Sequence, residues 1–343
     1  MAVGCGEPLQ KIILLNVRED LAAIGHLFRR TTTAGKENDV TQKQPQAEPD
    51  IADERVSAYF PPSVASGRDA IAAHSQISSR QLYDDDLLVY LEIHPGSSDL
   101  FPTMFMVTEA GMIAGGSGMN SCGLAVATNP LLSSADFVPR PGSGGDVFYM
   151  PVTCLQRCLL ECADVDEALE TLHSRPRHAS IKVLIADADR SVSLELGPRR
   201  EHVFRYRGPS PTPAGAVVHV DHFQSFEAFA ARREIVDRRS SNRSSSGRGR
   251  VARLRRLTDL TTMYEQHEIE PHDVLDILSD HDGHPAERVC RHGKGPEGEG
   301  EGEERGGKMT VLVAMYSLSR RVVSVCKGPA CRGHVMHFTF VED

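Results

Sequence analysis

The feature that most constrains this chain is how its apolar runs are grouped. Residues 56–60, 87–93 (LLVYLEI), 103–108 (TMFMVT) and 123–127 are short segments with strand character, and they cluster instead of alternating with helices. Residues 147–163 and 165–173 then carry Leu155, Leu159, Leu169 and Leu172 at helical spacing, which predicts a helical pair. Strand signals return at 181–185, 192–196, 202–206 and 216–220. Helical spacing follows at 251–266 and 271–279, with Pro271 suited to a first turn, and closing strands are expected at 309–316, 322–326 and 334–340. An apolar run at 11–17, continued by a helix over 20–26, precedes all of this. Blocks of strands around blocks of helices imply an α+β fold with antiparallel sheets and exclude a doubly wound one.

Three stretches lack any hydrophobic period: polar residues 31–54, the Arg, Ser and Gly run 238–250, and the Gly-Glu segment 293–307. They read as solvated inserts in one domain spanning 1–343, since none separates units with a core of their own. The formal net charge is −9, so neither nucleic acid nor an anionic membrane surface is an expected partner. The basic run at 238–250 has no interleaved aromatics to stack bases. No window approaches the roughly 18 apolar residues of a spanning helix, and no secretory leader pattern opens the chain, so a soluble cytoplasmic protein is expected. Its eight cysteines form no disulfide framework and read as reduced thiols. Cys154, Cys158 and Cys162 share one helical stripe and are expected to pack in the core. No oligomeric state follows from these features.

Recognised cofactor and nucleophile motifs are absent. The glycines of Gly115-Gly116-Ser117-Gly118 lead into an apolar β-like run and not a helix N-terminus, so they suit a tight turn better than a phosphate. Asp280-His281-Asp282-Gly283-His284 offers carboxylates and imidazoles to a cation, but the same residues also make turns after a helix, and the turn reading is preferred. No cofactor and no metal is therefore expected.

Several segments, taken in order, resemble the acyl-coenzyme A:6-aminopenicillanic acid acyltransferase family. Leu15-Asn16-Val17-Arg18 is similar to its LNxR strand. Thr108-Glu109-Ala110-Gly111-Met112-Ile113 followed by Gly118-Met119-Asn120-Ser121-Cys122-Gly123-Leu124 resembles its most specific segment. His219-Val220-Asp221-His222-Phe223 resembles a T-N-H-F strand, and Arg250 with Arg253-Leu254 the helix after it. Asp280 to Pro285 with Val289-Cys290-Arg291-His292 is similar to DHDG-P…ICRH, and Gly328-Pro329-Ala330-Cys331 to the closing GPPC.

The resemblance implies the four-layer αββα sandwich of N-terminal-nucleophile hydrolases. It also implies an amidohydrolase or acyltransferase acting on a small amide or acyl donor, acyl-coenzyme A among the options. That chemistry uses a cysteine exposed by self-cleavage, whose own α-amino group serves as base, and an oxyanion hole. Ser57-Ala58-Tyr59-Phe60-Pro61-Pro62 resembles the segment after the nucleophile, which places the cysteine position near Arg55, within the window Glu54, Arg55, Val56. Ser57 is the nearest hydroxyl and the one candidate nucleophile. The Q-N-W-D-like stretch is replaced around His74 to Ser78, Asp221 falls on the oxyanion asparagine, and Arg288 falls on the serine before ICRH. The alternative to an enzyme is a non-catalytic relative that keeps the fold as a binding or scaffold protein.

Overall fold

The computed structural model describes residues 12–16, 54–95, 101–112, 114–137, 149–198, 202–206, 215–225, 245–264, 267–285, 287–292 and 308–340. In chain order the strands β1 (Ile12–Asn16), β2 (Glu54–Phe60) and β3 (Ile71–Ser79) precede the short helix α1 (Arg80–Asp84). Next come β4 (Leu88–His94), β5 (Met104–Glu109), β6 (Ser117–Asn120) and β7 (Ala125–Pro130), then helices α2 (Val152–Leu160) and α3 (Val165–Ser174). Strands β8 (Ile181–Ala186), β9 (Ser191–Leu196), β10 (Val203–Tyr206) and β11 (Val217–Val220) lead to α4 (Ser245–Tyr264) and α5 (Pro271–Leu278). Strands β12 (Lys308–Ser317), β13 (Val322–Lys327) and β14 (Val335–Thr339) close the order.

Eight strands form one sheet in the order β1-β4-β5-β6-β7-β8-β9-β10, and six form another, β11-β2-β3-β12-β13-β14. Pairing is antiparallel apart from β1 on β4. The period of two along each strand sends alternate side chains to opposite faces. On β2, Val56, Ala58 and Phe60 therefore pack with Leu257 and Leu260 of α4 and Val274 and Ile277 of α5. Tyr59 goes the other way, with Ala72 and Tyr316, against Phe105, Met119 and Ala127 of the larger sheet. The larger sheet's far face sets Met104, Met106, Val126 and Ile185 against Leu155, Leu159, Ala168 and Leu172 of α2 and α3. Helices, sheet, sheet, helices: the α+β, four-layer αββα sandwich expected from the sequence is the fold of the chain.

Four elements depart from the sequence reading: the short helix α1, strand β6, where Ser117 and Gly118 pair with β5 and β7 instead of forming the expected tight turn, strand β3 and helix α4. Strand β3 (IAAHSQISS) was not anticipated because His74, Ser75, Gln76 and Ser78 interrupt any apolar alternation; it lies between β2 and β12 and is buried through residue 78. Helix α4 begins at Ser245, inside the run expected to be a solvated loop to Arg250. Serine and glycine are weak helix formers, and here burial of charge compensates. Arg250 is 2% exposed with Nε 2.9 Å from Asp221 Oδ2, and fully buried Arg253 lies 2.9 Å from Glu54 Oε2. Of the cysteine stripe only Cys162, beyond the end of α2, reaches the core, while Cys154 and Cys158 are half-buried. The helix expected at 20–26 and the inserts 31–53, 238–244 and 293–307 lie outside the described residues. Among the described residues no helix is long and apolar enough to cross a membrane.

Candidate functional site

The register of the small sheet brings the site together. Arg55 pairs with Gln76 and Ser57 with His74 across β2 and β3, while His219 of β11 faces Ser57 from the other side. Residues 55 and 57 share the face of Tyr59, so both point between the sheets. Beside Arg55 opens a cavity of about 430 Å³. Arg55 Nη1 donates to the Thr128 carbonyl at 3.2 Å. A Cβ at Gly116 would stand 2.8 Å from that nitrogen and 3.1 Å from His74 Nε2, so only glycine leaves the guanidinium its place. Gln76 Nε2 donates to Glu109 Oε1 at 2.9 Å on the same wall. The remaining lining is mainly apolar, and Met112, Leu132 and Phe137, each about two-fifths exposed, sit in it as large apolar groups open to solvent.

Behind Arg55 a hydrogen-bonded cluster joins the sheets. Asn129 Nδ2 donates to the Arg55 carbonyl at 2.7 Å, which turns its Oδ1 toward Ser57 and His219. Ser57 Oγ donates to that Oδ1 at 2.6 Å, and His219 Nε2 lies 3.3 Å from it. An amide oxygen only accepts, so His219 carries its proton on Nε2 and takes the Ser193 hydroxyl proton at Nδ1, 2.8 Å away. The Ser57 proton being committed to Asn129, His74 Nδ1, 3.1 Å from Ser57 Oγ, is the donor in that contact. This assignment needs the His219 imidazole neutral and is met by a neutral His74. Burial, seconded by Arg55, holds His74 well below the usual histidine value, and burial with Lys182 nearby does the same for His219. Ser57 is 1% exposed.

Glu54, Asp221 and Arg288 lie outside the cavity lining. Glu54 points to the helix side, where Arg253, Arg291 and Lys308 surround it. Burial alone would raise its carboxyl, but these cations and Arg250 bring it down to about 2. Asp221 is fully buried against Arg250, and its neighbour His222 is depressed to about 3 by burial and by Lys182, Arg250 and Arg253. Arg288 donates from Nε to the Gly283 carbonyl at 3.2 Å within its own loop. Neither Asp221 nor Arg288 lines the cavity. The structure thus brings Ser57 next to the cavity wall and keeps Asp221 and Arg288 apart from it.

Sequence reading missed Asn129, His74 and His219 as one unit, because their contact spans both sheets. It also missed the Lys182–Glu195 pair, 2.9 Å apart and fully buried, whose carboxylate takes the Ser225 backbone N–H and hydroxyl. A lone lysine in an apolar strand was the available signal. The Asp280 to His284 run is divided: Asp280 and Asp282 hold Arg256 at 2.7 and 3.3 Å, while His281 Nε2 turns to His292 Nε2 at 2.8 Å.

Solved structures with related shapes are remote. Penicillin V acylase from Agrobacterium tumefaciens is 14% identical, with 83% of this chain and 86% of that chain covered and a TM-score of 0.48. The C2A mutant of conjugated bile acid hydrolase from Clostridium perfringens is 12% identical, with 84% and 97% covered and a TM-score of 0.46. A Caenorhabditis elegans ortholog of N-acylethanolamine-hydrolyzing acid amidase is 12% identical, with 76% and 92% covered and a TM-score of 0.44. No curated protein matches the chain. The family model for acyl-coenzyme A:6-aminopenicillanic acid acyl-transferase matches residues 81–329, a span running from α1 through both sheets to the turn after β13. With most of its length in that match, and an αββα sandwich around the cavity, this chain belongs to the acyl-coenzyme A:6-aminopenicillanic acid acyl-transferase family.

Proposed function

We propose that this chain is a non-catalytic member of the family that uses the inter-sheet cavity to bind a small acyl compound. The carrying observation is Arg55: within the window Glu54, Arg55, Val56 that resembles the nucleophile position, the side chain lining the cavity is a guanidinium and not a thiol. A guanidinium cannot attack a carbonyl, but it donates charge-assisted hydrogen bonds to a carboxylate or amide oxygen. The apolar lining beyond it suits the acyl chain of such a ligand. Asp221, which resembles the oxyanion asparagine in position, is a carboxylate held by Arg250 away from the cavity and offers no hydrogen-bond donor to an oxyanion there.

The rival reading takes Ser57 as nucleophile, and its contact with His74 at 3.1 Å is what favours it. Against it stand the direction of the Ser57 proton, which goes to an amide oxygen and not to a base, the depressed basicity of His74, and the burial of the hydroxyl. The test is calorimetric titration with octanoate and with N-octanoylglycine, alongside an assay for hydrolysis of the latter. Binding without hydrolysis is expected, weakened in Arg55→Ala by about 10-fold or more, as loss of a charge-assisted hydrogen bond implies. Hydrolysis abolished by Ser57→Ala would overturn the proposal.

A further inference from the structure

We propose that His281, Cys290, His292 and Cys331 form a structural zinc site, distinct from the cavity. Two segments supply the four side chains: His281, Cys290 and His292 follow α5, and Cys331 sits in the turn between β13 and β14. Their ligand atoms all lie within 4.8 Å of one another. His281 Nε2 and His292 Nε2 are 2.8 Å apart, Cys331 Sγ and His292 Nε2 3.2 Å, and the two sulfurs 3.9 Å. A tetrahedral zinc with bonds of about 2.3 Å to sulfur and about 2.0 to 2.1 Å to nitrogen has edges of roughly 3.3 to 3.8 Å. The cluster is therefore already near the size the ion demands, slightly tight between the imidazoles and slightly wide between the sulfurs. The sulfurs are well beyond the roughly 2.05 Å of a disulfide, and both cysteines are free thiols.

The donor chemistry selects the metal. Two imidazoles and two sulfurs suit zinc, whereas magnesium and calcium need oxygen. The carboxylates that flank His281 in sequence, Asp280 and Asp282, are occupied by Arg256. Four protein donors fill the coordination sphere and leave no position for substrate, which marks a structural and not a catalytic centre. On binding, each thiol gives up its proton to solvent and each imidazole coordinates through Nε2, so the loaded site is neutral.

The scaffold around the four residues holds them to this geometry. Cys290 N–H donates to the Asp280 carbonyl at 2.9 Å, closing the loop that carries His281. Arg291 and Thr310 exchange hydrogen bonds at 2.9 Å through each other's backbone and the threonine hydroxyl, tying that loop to β12. The Cys331 turn is closed by Arg332 and Gly333 amides on the Pro329 carbonyl, and a Cβ at Gly333 would stand 2.1 Å from Cys326 Sγ, so the tight turn requires glycine there. The ion would thus pin the loop after α5 to the β13–β14 turn. Arg291, between two ligands, would be fixed against Glu54 at the start of β2.

The full chain, purified in reducing buffer, loaded with zinc sulfate and desalted, should retain about one zinc per chain by elemental analysis, as a closed four-ligand site implies. Cys331→Ser and His292→Ala should each lower zinc retention at least tenfold, while His284→Ala, an exposed histidine of the same loop, should keep it. Where a ligand variant does not fold, cobalt loading of the unmodified chain decides: thiolate-to-cobalt charge transfer with tetrahedral d–d bands supports the site. An octahedral cobalt spectrum, absence of stoichiometric zinc, or zinc retained in both ligand variants would overturn it, as would a Cys290–Cys331 disulfide in the reduced preparation.

Discussion

Glu54→Gln isolates the ionic cluster that seats the start of β2. Glu54 is 4% exposed, with Arg253 at 2.9 Å and Arg291 and Lys308 at 3.4 Å. Burial works against its ionisation and the cations prevail, taking the carboxyl from 4.5 to about 2, a difference worth about 3 kcal/mol. The folded-state value lies below the unfolded one, so the contribution is complete above about pH 4.5 and is lost as pH falls toward 2. Glutamine keeps an oxygen near Arg253 but not the charge, so the substitution should cost about 3 kcal/mol at pH 7, the low end for breaking a buried pair. Urea denaturation of both proteins across pH 2 to 7 checks this. The wild-type advantage should be about 3 kcal/mol at neutral pH and shrink toward zero between pH 4.5 and 2. A pH-independent difference, or one below about 1 kcal/mol, would refute the reasoning, since other carboxylates cancel between the two proteins.

Ser57→Ala should cost about 1 to 3 kcal/mol, because His74 Nδ1 and Asn129 Oδ1 lose a buried partner, yet leave octanoate affinity unchanged; denaturation and calorimetry read the two effects separately. Lys182→Met strands the Glu195 carboxylate in the larger sheet and should destabilise by about 3 kcal/mol or more in urea melts. Leu159→Ala, under the outer face of that sheet, should lower stability by about 3 kcal/mol with no effect on ligand binding.

The sandwich was legible because its strands keep a period of two and its helices their stripes, and because the two outer helical layers repeat the same apolar spacing. Strand β3 escaped for the opposite reason. His74 and Gln76 are polar residues on a buried strand, with partners from β2 and β5 that no local pattern reveals. Helix α4 was cut short in reading because the glycines and serines at its start have poor propensity, whereas Arg250 and Arg253 find their carboxylates about 30 and 200 residues earlier in the chain. At the site, motif order pointed to the window Glu54, Arg55, Val56 and to Ser57 beside it. That Arg55 reaches a cavity, that Ser57 gives its proton to Asn129, and that His281 leaves its acidic neighbours for His292, which in turn meets Cys331, depends on contacts between distant segments.

The most direct test of the central claim is the intact mass of the full chain. Activation in this family's chemistry requires a break that frees an N-terminal nucleophile, and Glu54, Arg55 and Val56 supply none. A single uncut species at the sequence mass of 37.5 kDa is expected. Two fragments, the second beginning with Ser57 or an adjacent residue, would contradict the claim and restore the family's catalytic chemistry to this chain.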